Sequence, residues 1–138
     1  MREAAITALA ALIATATEVK SVFRDSAPDG ISSMSVPCVV LTDNGAEEIE
    51  RKTGGMADVY VTLDLEIIVD AAKNQSTALN AVDKAVKAKI ASNATLSGTV
   101  ANVSILPQTS GDTSGAENTA RRTRQVRIFY EASVASGM

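Results

Sequence analysis

The chain has 138 residues, of which 46% are hydrophobic, 13 are Lys or Arg and 16 are Asp or Glu, giving a net charge of -3. That length supports one domain around one core, and the acidic balance argues against a general binder of polyanions. A single cysteine, Cys38, excludes an intrachain disulfide, and the absence of histidine removes the usual zinc ligands and any imidazole that could activate the thiol.

With two Tyr, two Phe and no Trp, the core must be built from Val, Ile, Leu and Ala. The first element expected is an alanine-rich helix from Arg2 to about Phe23, in which Ile6, Leu9, Ile13, Val19 and Phe23 keep a roughly helical period. Glu3 near its start and Lys20 and Arg24 near its end suit the helix dipole. The small residues Ala14-Thr15-Ala16 imitate a signal-peptide cleavage site, but the amphipathic period continues past them, so an ordinary helix is expected. No stretch is apolar for the ~20 residues of a membrane span, and the chain reads as soluble and cytosolic. Asp25-Ser26-Ala27-Pro28-Asp29-Gly30 stops the helix.

A strand from Val36 to Thr42 follows, entered through Pro37, with Cys38 as a small buried strand residue. Asp43-Asn44-Gly45 has hairpin chemistry, yet no second strand follows at once. Residues 46–56 carry Glu47, Glu48, Glu50, Arg51 and Lys52, then Gly54-Gly55, and read as a mobile loop or extended arm between two strands. Val59, Val61, Leu63, Leu65, Ile67 and Val69 then alternate with mostly polar neighbours, the period of a strand with one dry face. Beyond Asn74, Leu79, Val82, Val86 and Ile90 recur at helical steps, with Asp83 and Lys87 as an i,i+4 pair. Thr99 to Leu106 predicts another strand, 108–118 an exposed loop, and Thr119 to Val134 a long final strand. Val126, Ile128 and Tyr130 line one face of that strand, and Arg122 and Arg124 extend the same face beyond the core, so the strand is expected to project from the domain.

These elements predict one α+β domain over residues 1–138. Its order is αββαββ, with a mainly antiparallel four-stranded sheet and two helices packed on one face.

No phosphate-binding glycine loop or dinucleotide turn is present. Asp64, Glu66 and Asp70 share one face of the alternating strand, where a hard metal could sit, but they are expected simply to line the wet face of an amphipathic strand. No catalytic, cofactor-binding or metal-binding residue is assigned. The strongest local charge is Arg121-Arg122-Thr123-Arg124-Gln125-Val126-Arg127. Its guanidiniums could contact phosphates, pair with the acidic arm of a neighbouring subunit, or form a solvated edge. The candidate interface residues are therefore Glu47, Glu48, Glu50, Arg51, Arg121, Arg122 and Arg124.

In order, spacing and length the chain resembles the tail terminator, or tail completion, proteins of long-tailed bacteriophages, the minor tail protein U-like family. The likeness lies in the helix Arg2-x3-Ile6-x-Ala8-Leu9-x2-Leu12, the entry Val36-Pro37-Cys38-Val39-Val40 and the strand Val61-x-Leu63-x-Leu65-x-Ile67. It continues through Leu79-x2-Val82-Asp83-x2-Val86, Leu96-x-Gly98 and Val126-x-Ile128-x-Tyr130. The resemblance implies a structural virion protein at the head-tail junction, assembled in the host cytoplasm. Its copies would form a ring, typically a hexamer, that stops polymerisation of the tail tube and offers the head a docking surface. The implied partners are other copies of the chain, the major tail tube protein and a head-completion or connector protein. Genomic DNA would pass through without sequence-specific binding, and no membrane or cofactor is involved. A neck adaptor between portal and tail is the neighbouring alternative. A small metal- or ligand-binding domain and a DNA-binding module are alternatives of other classes.

Overall fold

Side chains along a strand alternate between its two faces, so the dry residues from Val59 to Val69 all turn to one side, and the strand that carries them is the axis of the fold. The computed structural model describes residues 2–25, 37–51, 53–70, 75–108, 111–115 and 119–133. In chain order the elements are α1 (Arg2–Ala14), β1 (Ser21–Arg24), β2 (Cys38–Arg51), a 3-10 turn (Thr53–Gly55), β3 (Met56–Asp70), α2 (Gln75–Ser92), β4 (Asn102–Ile105), β5 (Thr113–Gly115) and β6 (Thr119–Ser133). One mixed sheet runs in the order β1-β2-β3-β6-β4. Its centre is the antiparallel pair β3 and β6, in register from Met56 opposite Ser133 to Asp70 opposite Thr119. The other edge of β6 takes β4 along Val126–Phe129 and β5 along Thr119–Arg121.

The α+β class holds, and the four-stranded antiparallel sheet is corrected to six strands among the described residues, one of them parallel. The parallel strand comes from the chain expected to finish the first helix. α1 stops at Ala14, where the Thr15 hydroxyl donates to the Leu12 carbonyl at 2.6 Å and the Ala16 amide tightens onto Ile13 at 3.0 Å. β-Branched Thr15, Thr17 and Val19 favour leaving the helix. Ser21–Arg24 then pairs with Cys38–Leu41, bracketed by amide bonds from Lys20 to the Pro37 carbonyl and from Asp25 to the Leu41 carbonyl, both 2.7 Å.

Of residues 46–56, expected as a loop or extended arm, Glu47–Arg51 and Met56 continue the ladder, Thr53–Gly55 form the turn, and Lys52 lies outside the described residues. β2 pairs β3 from Cys38 opposite Ile68 to Asp43 opposite Leu63, then from Glu47 opposite Val61 to Arg51 opposite Ala57. The hairpin chemistry at Asp43-Asn44-Gly45 makes a bulge between these stretches: Gly45 sits at φ 79° and donates its amide to the Asp43 carboxylate at 3.0 Å. The chain turns back at Gly54, φ 82°. Of the loop expected at 108–118, Thr113–Gly115 is strand β5, while 109–110 and 116–118 lie outside the described residues.

One face of the sheet carries the core. Val59, Val61, Leu63, Leu65, Ile67 and Val69 are buried beneath Ile6, Leu9 and Ile13 of α1 and Leu79, Val82, Val86 and Ile90 of α2. Both helices therefore lie on this face. The opposite face holds a smaller apolar group of Cys38, Val40 and Ile68 with Phe23 against it. Burial there pushes the Cys38 thiol up to about 11, leaving it a packing residue in the protonated form.

Candidate functional site

Beyond the bulge, Glu47–Arg51 of β2 form a polar arm strand at the edge of the sheet, paired to β3, which pairs β6 on its other side. Alternation places Glu48 and Glu50 on the helix-free face and Glu47, Ile49 and Arg51 on the helix side. All five are exposed, and Ile49, at 42%, is the exposed large hydrophobic residue among those described. The base of the arm is fastened to α1. Arg2 donates from Nε to Asp43 Oδ2 at 2.9 Å, forms a second close bond to Asp43 Oδ1, and reaches Glu47 Oε2 at 3.4 Å. On the other face Arg127 donates to Glu48 Oε2 at 3.0 Å, with its guanidinium 4.3 Å from the centroid of the Tyr60 ring. Tyr60 in turn stacks on Phe129 at 4.9 Å and 14°. The arm is thus braced on both faces at Glu47 and Glu48.

The arginine run divides by parity. Arg121 and Arg127 point to the helix-free face, where Arg121 meets Glu66 Oε1 at 3.2 Å. Arg122 and Arg124 turn under α2 and are buried to 8% and 9% exposure. Asp83 Oδ2 receives Arg122 Nη1 at 3.3 Å and Arg124 Nη1 at 3.4 Å, with Lys87 Nζ at 3.5 Å. Arg122 also donates from Nε and Nη2 to the two Asp112 oxygens at 2.8 and 2.9 Å, and from Nη1 to Asn80 at 2.8 Å. These bonds tie α2 and the segment before β5 to β6.

Of the sequence-derived interface residues, Glu47, Glu48, Glu50 and Arg51 come together on the arm, and the three arginines do not join them. Arg122 and Arg124 are held inside their own chain, contrary to an outward-projecting charged strand. Their position on the core face was legible from spacing, but their carboxylate partner on α2 was not. Arg2, which holds the arm, was missed. Its one sequence signal, a charge at the start of a helix, does not reveal a partner 41 residues away.

Among the described residues, no group of three or more Asp, Glu or Cys is arranged to hold a metal ion. Glu66 is engaged by Arg121 rather than converging with Asp64 and Asp70. Two surface hollows stand out. One, of about 330 Å³, lies between the end of α1 and α2 at Thr15, Glu18, Ala85 and Lys89. The other, of about 250 Å³, lies between α2 and β4, lined by Lys87, Ile90, Ala91, Val103, Ser104 and Ile105. The second is mainly apolar and opens at the edge of the sheet.

The paired carboxylates set the acid limit of stability. Hydrogen bonds from Arg2 hold Asp43 below its ordinary value of 3.8, and hydrogen bonds from Arg122 do the same for Asp112. Between 3.8 and those lowered values the unfolded chain binds more protons than the folded one, so this contribution is complete above the window and is lost as pH falls through it. Urea midpoints should be flat down to about pH 5 and decline below about pH 4. The double variant Asp43→Asn, Asp112→Asn should decline less steeply; an identical acid limb would show that these two carboxylates do not carry the effect.

No helix among the described residues is long and apolar enough to cross a membrane. No family model matches the chain, and no curated protein matches it in sequence. Among solved structures, a chain of the virion of a native gene transfer agent (GTA) particle is similar at a TM-score of 0.45 and 21% identity, over 90% of this chain and 84% of that one.

Proposed function

We propose that this chain is a structural virion protein, a tail-terminator subunit whose copies close into a ring on the head-proximal end of a tail tube. The observation that favours it most is a sheet with free edges on both sides. Among the described residues, no strand pairs the outer edge of β2 beyond Leu41, nor the outer edge of β4. Open edges and a core without tryptophan are conditions under which association supplies burial that one copy lacks. In this reading the chain is not an enzyme. The ring is a hexamer, as in the family the sequence resembles, and its partners are the major tube protein and a head-completion protein. DNA passes through the channel without sequence-specific contacts. A net charge of -3 suits that role, as does an arginine run whose members at 121, 122, 124 and 127 are each engaged by a carboxylate of the same chain.

Light scattering on the purified protein should report a multiple of its 14.3 kDa mass, negative-stain images should show annuli, and addition to polymerising tube subunits should arrest growth. A protein that stays monomeric at every concentration and leaves tube growth unaltered would overturn the reading.

A further inference from the structure

The two edges left free among the described residues lie on opposite sides of one sheet, and their side chains are unlike. The arm edge is acidic, with Glu47, Glu48 and Glu50, and it carries exposed Ile49. The other edge is β4, beside the hollow whose walls are Ile90, Ala91, Val103 and Ile105 and whose rim carries Lys87. Lys84, one turn earlier on α2, is also exposed. We infer that the arm strand Glu47–Arg51 of one copy adds alongside β4 of a second copy, seating Ile49 in the α2-β4 groove with Glu47, on the same side of the strand, toward Lys84 and Lys87.

Sheet geometry permits this docking. Ile49 lies on the helix side of its strand, as do Val103 and Ile105 of β4, which sit opposite Ile128 and Val126. A strand added to β4 with its helix side matched to that of the host sheet therefore directs its apolar residue at the groove. Main-chain hydrogen bonds then join the edges, and the pocket and charges set the register. The contact uses different surfaces on the two copies. Such head-to-tail interfaces repeat from copy to copy and give a ring where the rotation between copies closes. The inference rests on the ring reading and supplies its subunit boundary.

The test pairs two variants at exposed positions, Ile49→Asp on the arm and Ala91→Trp in the groove, with wild type measured alongside. Each variant alone should fall to the 14.3 kDa mass in light scattering while keeping the circular dichroism of wild type. Mixed in equal amounts they should form a heterodimer and nothing larger, because only one sound arm and one sound groove can meet. A ring that survives Ile49→Asp, or a mixture that yields no dimer or regains the full ring, overturns the arm-in-groove contact and leaves the ring reading standing. Oxidation of the double variant Ile49→Cys, Ala91→Cys checks the contact without disrupting it. A ladder of covalent multimers on a non-reducing gel is expected, and its absence in a protein that forms rings overturns the proposed boundary. Wild type that is monomeric throughout overturns the ring reading, and this boundary with it.

Discussion

Replacing Asp83 with alanine is expected to cost about 3–5 kcal/mol of folding free energy, the range for removing one partner of a buried ion pair. Its side chain is 8% exposed and accepts from two guanidiniums that are themselves 9% and 10% exposed. Arg122 would keep Asp112 and Asn80, but Asp83 is the carboxylate within reach of Arg124 among the described residues. The loss therefore falls mainly on Arg124, left charged beneath a helix. Because the cost is that of an uncompensated charge rather than of a strong bond, the double variant Asp83→Ala, Arg124→Met should be more stable than Asp83→Ala alone. Urea denaturation of the four proteins in that cycle measures both effects. A single-variant loss below about 1 kcal/mol would show the guanidiniums reaching water in solution.

The second large effect is expected at the centre of the sheet. Leu65 is fully buried on β3, with Leu41 opposite it on β2 and Arg124 opposite it on β6. Leu65→Ala should cost about 2–5 kcal/mol, combining lost transfer energy with an incompletely collapsed cavity. Strands that run the length of the sheet on both sides restrict collapse, which favours the upper part of that range. Thermal and urea unfolding provide the measurement, and a cost near that of a surface substitution, within about 0.5 kcal/mol, would contradict the central position of β3. Since Arg124 is the cross-strand partner of Leu65, Leu65→Ala and Asp83→Ala should not be additive.

The elements differ in how far they could be read from residues, and for physical reasons. β3 and α2 were legible because each has one dry face, and a dry face imposes a period on the sequence. The arm lacks that signal. From Glu47 to Arg51 both sides of β2 are exposed, so a paired strand resembles a loop in composition alone. The end of α1 was hidden by an ambiguity. Ala16 and Val19 follow Ile13 at three-residue steps and are buried, but a chain leaving the helix and entering an edge strand keeps them buried just as well. Amide bonds from Lys20 and Asp25 to the β2 backbone decide between the two, and they depend on where β2 lies.

Local sequence determined what local forces control: the α+β class, the faces of β3, α2 and β6, the parity that sends Arg122 and Arg124 to the core side, and the packing role of Cys38. The tertiary arrangement decided which strands are neighbours, that β1 runs parallel to β2, and that, among the described residues, the edges beyond Leu41 and beside β4 remain open. It also decided that a carboxylate on α2, 41 residues from Arg124, neutralises a guanidinium which composition alone would leave in water. Periodicity arises between residues a few positions apart, whereas strand pairing and the burial of charge are settled between segments that meet only once the chain has folded.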